Sequence, residues 1–333
     1  MTEAKKAKQT YIVGVDLGGT NVLAAVVKPG GEVLARAKKR SRTKSGPDEI
    51  VGVCCDAVEA AIETAGVPRE SVKAVGIGAP GTLDADKGVI VFAPNLQDFE
   101  NVPMKQMMED KLGIPTFLDN DVNVGVLGEH VLGVGQGVSD LVGLFVGTGI
   151  GGGIIINGQL HRGFNHTAGE VGHIIIKQKG FTCGCGNIGC MEANASRTGI
   201  ARWIEKAAKK GKKTVVTKLV KGDYSKITSK VLRQAVEAKD KVTLKALDKA
   251  WQALGVGIAN IINLLSPEMI ILGGGVMEAL GDWPVDKVRK QVEKLAMPHT
   301  MDNVRFARAA LGDDSGILGA AVLAEQELAK KKA

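Results

Sequence analysis

The chain has 333 residues, a net charge of +7, and 44% hydrophobic, 24% charged and 4% aromatic residues. Its 44 glycines make up about 13% of the chain, against about 7% in an average protein, with no Gly-X-Y period and no low-complexity tail. No stretch reaches the roughly 18 apolar residues of a membrane span. The lysines are scattered and the few tyrosines and tryptophans leave little for base stacking, so neither membrane nor nucleic acid is an expected partner.

Met1–Thr10 carries Lys5, Lys6 and Lys8 without an apolar stretch behind them. That excludes a signal peptide and reads as a short disordered lead-in to a cytoplasmic protein. Tyr11–Asp16 then reads as a buried strand ending in Asp16-Leu17-Gly18-Gly19-Thr20. Val22–Val27 and Val33–Lys39 follow as strands, parted by Pro29-Gly30-Gly31. Pro47-Asp48 opens an amphipathic helix to about Ala65, with Gly66 as its stop signal. Val72–Ile77 reads as a strand leading into Gly78-Ala79-Pro80-Gly81. A polar loop with Asn95, a helix from about Pro103 to Leu112 and a strand at Ile114–Leu118 come next.

Val122–Val131 reads as a helix and Asp140–Val146 as a strand. The run Gly147-Thr148-Gly149-Ile150-Gly151-Gly152-Gly153 reads as a glycine turn, returning through a strand at Ile154–Asn157. Strand, Gly/Thr turn and strand thus occur twice, a weak internal duplication. Residues 196–265 are mainly helical, and Glu268–Leu272 is a strand running into Gly273-Gly274-Gly275. A helix beginning near Asp314 closes the chain. Alternating strands and helices imply an α/β architecture.

Gly147, Gly149 and Gly152 satisfy G-x-G-x-x-G, but that fingerprint needs a helix behind it to receive a pyrophosphate. The β-branched Ile154-Ile155-Ile156 prefers strand, so a nicotinamide-dependent oxidoreductase fails on context. A glycine turn used twice can instead bring backbone N–H groups against a polyphosphate, with the Thr20 and Thr148 hydroxyls as further donors. Asp16, at its strand end, suits Mg2+ or a metal-bound water.

The cysteines point elsewhere. Cys54 and Cys55 fall inside the first helix, while Cys183, Cys185 and Cys190 crowd into one loop ten residues after His173. Three thiolates and an imidazole form a closed set for tetrahedral Zn2+, and Gly184, Gly186 and Gly189 let the loop wrap a small ion. A closed site is structural, and it would stiffen Glu170, His173 and Glu192, acceptors suited to a polyol. Asp121, between a strand and a helix, is equally a general base for a hydroxyl or an N-cap.

Asp16-Leu17-Gly18-Gly19-Thr20-Asn21, Asn120-Asp121-Val122-Asn123 with Gly128-Glu129, the Gly147–Gly153 run, Gly169-Glu170-Val171-Gly172-His173 and Cys183-x-Cys185-Gly186-x-x-Gly189-Cys190-x-Glu192 occur in this order. Together they resemble the ROK family of sugar kinases and sugar-responsive repressors, from Tyr11 to Gly312–Gly316. The resemblance implies an actin-like (ribonuclease H-like) ATPase fold, two related α/β domains with an interdomain cleft for ATP and sugar. The smaller domain would comprise 10–118 plus 315–333 and the larger 119–314, with the structural zinc loop at 173–192.

By the same resemblance Asp121 is the base that takes the proton of the sugar's primary hydroxyl as it attacks the γ-phosphoryl of MgATP. Asn95, Asn120, Glu170, His173 and Glu192 become sugar contacts. Asp16, Gly18, Gly19, Thr20, Asn21, Gly147, Thr148, Gly149, Gly273, Gly274 and Gly275 fall to the nucleotide and its Mg2+. His173 serves both zinc and sugar, and the protein is a homodimer. Glucose is the expected sugar, since a glutamate–histidine–glutamate set fits an all-equatorial pyranose; N-acetylglucosamine is the alternative, and polyphosphate the alternative donor. A repressor needs a DNA-binding module, for which ten residues before the first strand are too few. The surplus glycine is expected at the phosphate turns, the nucleotide side and the zinc loop, with the rest in ordinary turns. The Lys-rich segment 206–230 has no assigned role.

Overall fold

The computed structural model describes residues 9–331, so all but the last two residues of the Met1–Thr10 lead-in lie outside the described residues. Apolar β-branched runs fold into an antiparallel meander of β1 (Tyr11–Leu17), β2 (Asn21–Val27) and β3 (Val33–Arg40). Helix α1 (Pro47–Ala65) starts on a proline, whose fixed φ and missing N–H suit that position, and ends at Gly66 with φ +64°. Then come β4 (Val72–Ala79), β5 (Thr82–Asp84), β6 (Val89–Phe92), β7 (Glu100–Val102), α2 (Met104–Leu112), β8 (Thr116–Asn120) and α3 (Asp121–Val131). The second half runs β9 (Leu141–Val146), β10 (Ile150–Ile156), β11 (Gln159–Leu160), α4 (Met191–Ala195), α5 (Arg197–Lys209), α6 (Val215–Leu219), α7 (Ser229–Glu237) and α8 (Lys241–Leu265). It closes with β12 (Met269–Gly273), α9 (Gly275–Leu280), α10 (Trp283–Val292), β13 (Arg305–Arg308) and α11 (Ser315–Lys330). Among the described residues no helix is long and apolar enough to cross a membrane.

The chain divides into two units. The first holds the residues up to Gly137, Leu160–Ala168 and those from Asp313 onward; the second holds Val138–Gln159 and Gly169–Gly312. In the first unit the main sheet has the order β3-β2-β1-β4-β8. There β2 is antiparallel to β1, and β4 is parallel to both β1 and β8. In the second the order is β11-β10-β9-β12-β13, with β10 antiparallel to β9 and β12 parallel to both β9 and β13. Counted within its own unit, each sheet reads 3-2-1-4-5 with the second strand reversed. This repeated arrangement is that of the actin-like ATPases, and it gives the duplicated motif a structural meaning.

Four details depart from expectation. The polar loop before α2 contains a small antiparallel sheet, β5-β6-β7, whose strands of three or four residues are too short to show a period. The glycine turn is only Gly147–Gly149, because Gly151, Gly152 and Gly153 pair with Phe145, Leu144 and Gly143 in the β9–β10 ladder. Helix α3 belongs to the first unit, beyond the expected boundary at residue 119, since it packs on α11. Finally, several glycines outside turns serve packing. A Cβ on Gly14 or Gly76 would stand 1.8 Å from a backbone carbonyl oxygen of α11, and one on Gly319 of α11 would stand 1.6 Å from the Val124 oxygen of α3.

Candidate active site and metal centre

In the first unit the chemistry gathers at the carboxyl ends of adjacent parallel strands, where open α/β sheets bind ligands. Asp16 on β1 is in register with Gly78 on β4, and Gly78 with Asp119 on β8. Asp16 lies against the first turn of α11, for a Cβ on Gly316 would stand 3.3 Å from its Oδ2. Burial pushes its carboxyl up to about 6, because a charge is poorly solvated there. A carboxylate so placed gains by facing a cation, which fits the Mg2+ role. Gly18, Gly19, Thr20 and Asn21 form the β1–β2 turn, closed by Gly18 N–H donating to the Asn21 oxygen at 3.0 Å.

Asn120 and Asp121 form the β8–α3 junction. The N-cap is Asn120: its Oδ1 accepts from the N–H groups of Val122 and Asn123 at 2.9 and 3.3 Å, and its Nδ2 donates to the Gly81 oxygen at 3.3 Å. This corrects the N-cap reading of Asp121, which is the first helical residue, half-buried, with Oδ1 accepting from Val122 N–H at 2.9 Å. Asp119 fixes the junction from below. It is 1% exposed and accepts from Asn120 N–H at 2.7 Å, Asn123 Nδ2 at 2.9 Å and Arg162 Nε at 2.5 Å. Asn95 sits exposed between β6 and β7 of the same unit.

In the second unit Gly147, Thr148 and Gly149 connect β9 to β10. The three carbonyls of this turn are engaged: Gly147 O accepts from Arg197 N–H at 2.9 Å, Gly149 O from Gly147 N–H at 2.9 Å, and Thr148 O from Thr198 Oγ1 at 2.8 Å. That leaves the N–H groups of Thr148 and Gly149 as the turn's remaining backbone donors, the polarity a phosphate requires. Gly273 ends the neighbouring strand β12 in register with Phe145. Gly274 has φ +83° and a Cβ there would stand 2.7 Å from Val146 N, so only glycine carries the chain past the end of β9 into α9 at Gly275. Glu192 accepts from Ile150 N–H at 3.0 Å, through the oxygen that a Cβ on Gly149 would approach to 2.3 Å. This acceptor therefore stands directly beside the turn.

The cysteine loop closes as its spacing predicts. One ligand atom from each of His173, Cys183, Cys185 and Cys190 lies within 4.8 Å of the others. His173 Nδ1 is 3.6 Å from Cys183 Sγ, and Cys185 Sγ is 3.7 Å from Cys190 Sγ. Zn–S bonds of about 2.3 Å and Zn–N bonds of about 2.0–2.1 Å make tetrahedral edges of about 3.8 Å between sulfurs and about 3.6 Å from sulfur to nitrogen. The pocket thus has the dimensions of a zinc tetrahedron. Asn187 N–H holds the exposed Cys185 thiol down to about 7, while burial pushes Cys183 up to about 12 and also raises Cys190. Three such thiols cannot all ionise without a cation among them. Gly189, with φ +87° and a would-be Cβ 1.6 Å from the Lys177 oxygen, makes the tight return possible. Nδ1 of His173 faces the cluster, and Nε2 lies on the side of Glu170, 3.8 Å from its Oε2. Cys183 Sγ also lies 3.5 Å from Glu192 Oε1, so the metal loop braces both glutamates of the expected polyol set.

Sequence reasoning missed three residues. Asp119 stands inside a quoted motif but looks like an ordinary strand end. Arg162 is 43 positions from its partner, with no local signal. Arg197 follows the N-cap Ser196 and reads as a solvated helix residue.

The chain is similar to known proteins over most of its length. A family model described as the ROK family matches residues 12–327. The glucokinase of Halalkalibacterium halodurans is 35% identical, over 95% of this chain and 96% of its own. The xylose repressor of Caldicellulosiruptor bescii is 31% identical, over 92% of this chain and 76% of its own. Among solved structures, a ROK family glucokinase from Streptomyces griseus in complex with glucose and AMPPNP superposes with a TM-score of 0.82. It is 34% identical and matches over 95% of this chain and 99% of its own.

Proposed function

The chain belongs to the ROK family, and on that premise we propose that it is a glucokinase, transferring the γ-phosphoryl of ATP to the 6-hydroxyl of glucose. The observation that carries the reading is the Gly147–Gly149 turn, with its carbonyls tied back and donors left for phosphate, in a chain this similar to a glucokinase solved with glucose and an ATP analogue. Asp121 accepts the proton of the attacking hydroxyl, held at the helix start by its neighbours. Asn95, Asn120, Glu170, His173 and Glu192 bind the sugar hydroxyls, and zinc on His173, Cys183, Cys185 and Cys190 keeps the last three acceptors in place. Gly18, Gly19, Thr20 and Asn21 with Gly147, Thr148 and Gly149 hold phosphates, Asp16 serves Mg2+, and Gly273–Gly275 border the nucleotide. Such a site needs little beyond positioning and charge stabilisation. The enzyme works as a cytoplasmic homodimer without nucleic-acid or membrane partners.

A panel of hexoses and N-acetylhexosamines, with ATP or polyphosphate as donor, tests the reading through ADP or glucose 6-phosphate release. Glucose with ATP should give the highest kcat/KM, and Asp121→Asn should lower kcat by about 10²–10⁴-fold with glucose binding retained. Turnover of N-acetylglucosamine alone would reassign the substrate, and silence on every sugar would remove the kinase function. The repressor relative motivates one further arm: a specific, sugar-sensitive DNA complex would place the chain among the repressors instead.

A further inference from the structure

Helix α5 begins with its N-terminus against the Gly147–Gly149 turn. Ser196 caps it, accepting from Gly199 N–H at 3.1 Å. Arg197 N–H donates to Gly147 O at 2.9 Å, and Arg197 Nη2 donates to Thr148 Oγ1 at 2.6 Å. Thr148 spends an acceptor lone pair on that bond, so its own hydroxyl hydrogen is free to turn toward another acceptor. The Arg197–Thr148 bond is solvent-exposed, the guanidinium makes no ion pair among the described residues, and its remaining N–H groups are not spent on any carboxylate.

This placement conflicts with the helix. A cation at the first helical position opposes the positive end of the helix dipole, and the first turn of α5 carries no acidic residue to offset it. Arginine, helix dipole, glycine-turn amides and a polarised hydroxyl all present positive charge to one place. A multiply charged anion resolves the conflict.

We infer that Arg197 is a phosphate-binding residue of this kinase, its guanidinium and the Thr148 hydroxyl together holding the terminal phosphates of the nucleotide. The inference rests on the assignment of Gly147–Gly149 as a phosphate turn. An arginine there supplies fixed charge where negative charge concentrates during phosphoryl transfer, a role backbone amides alone fill more weakly.

The test uses Arg197→Gln, Arg197→Lys and Thr148→Ala in the full chain. Calorimetry gives the affinity for ADP and for adenosine, and steady-state kinetics gives KM for sugar and ATP. Arg197→Gln should weaken ADP about 10- to 100-fold, leave adenosine affinity and the sugar KM unchanged, and not lower Tm. Lys should recover part of the loss, since it restores the charge but not the planar fork. If Thr148→Ala weakens ADP and Arg197→Gln does not, the turn binds phosphate without Arg197 and the inference is overturned. If neither variant alters ADP affinity, the phosphate turn itself falls. Equal losses for ADP and adenosine with a lowered Tm would assign Arg197 a structural role and also overturn it.

Discussion

Asp119 and Arg162 show how the candidate site can depend on the residues packed behind the Asn120–Asp121 junction. The carboxylate of Asp119 is 1% exposed and receives Arg162 Nε as well as two donors from the Asn120–Asn123 turn. Removing the cation strands a buried charge, which costs about 3–5 kcal/mol where such pairs are broken. Arg162→Met should therefore lower the unfolding free energy obtained from urea denaturation by roughly that amount and reduce kcat, because the turn carrying Asp121 loses its support. Asp119→Asn in the same chain should return most of the stability; a single variant no less stable than wild type would show that the pair supports nothing. Asp16 gives a second prediction, set by pH. Its folded pKa is raised, to about 6 from 3.8, so the folded state holds a proton that the unfolded chain has released. The stability tied to that proton is fully present below about 3.8 and is lost as pH rises through about 6. In the ligand-free protein Asp16→Asn should accordingly raise Tm more at pH 8 than at pH 5, and a gain independent of pH would contradict the assignment. In the wild type a cation at Asp16 must displace the proton, so KM for MgATP should climb as pH falls below about 6.

Helix α11 lies closer to its sheet than ordinary side chains allow. Gly14 and Gly76 leave space for the carbonyls of Ile317 and Ala320, and Gly319 does the same for Val124 in α3. Gly76→Ala would drive a methyl into backbone 1.8 Å away; overpacking of this kind costs about 3 kcal/mol or more, and urea denaturation should show at least that loss. Free accommodation of the methyl would mean that α11 can slide on the sheet. The same glycines explain where reading the sequence succeeded and where it stopped. Strand ends with Gly-Thr, the helix from Pro47 to Gly66 and the Cys₃His spacing were legible because each signal is local and chemically specific. The short strands β5, β6 and β7 were not, since three or four residues cannot establish a period. The packing role of Gly14, Gly76 and Gly319, which fall inside the expected strands and closing helix, was not legible because a close helix–sheet approach leaves no trace along the chain. The Asp121 ambiguity needed coordinates as well: Asn120 and Asp121 are both good caps, and only the hydrogen bonds to Asn120 Oδ1 decide between them.

Among the described residues each unit carries its own large apolar core. One is built from residues between Tyr11 and Leu118 of the first unit, the other from residues between Val142 and Val304 of the second, and they have no residue in common. All three tryptophans, Trp203, Trp251 and Trp283, belong to the second unit, as does the cysteine loop. Indole fluorescence therefore reports on the zinc-bearing unit alone, while far-UV circular dichroism reports on both. Elemental analysis should give about one zinc per chain. Removing it leaves Cys183 and Cys190 as buried neutral thiols and frees the loop that joins His173 to α4, so the loss is confined to the second unit and its α4–α5–α8 layer. Chelation should then lower the melting temperature read by tryptophan fluorescence by several degrees and leave a later dichroism transition from α1, α2, α3 and α11. Cys190→Ser should reproduce this without chelator. Because ligand binding stabilises only the state that binds, and by an amount that grows with the logarithm of ligand concentration above Kd, ATP bound at the Gly147–Gly149 turn should raise the fluorescence transition steadily with log[ATP]. A single coincident melt, shifted equally by both probes, would instead mean that the two units unfold as one.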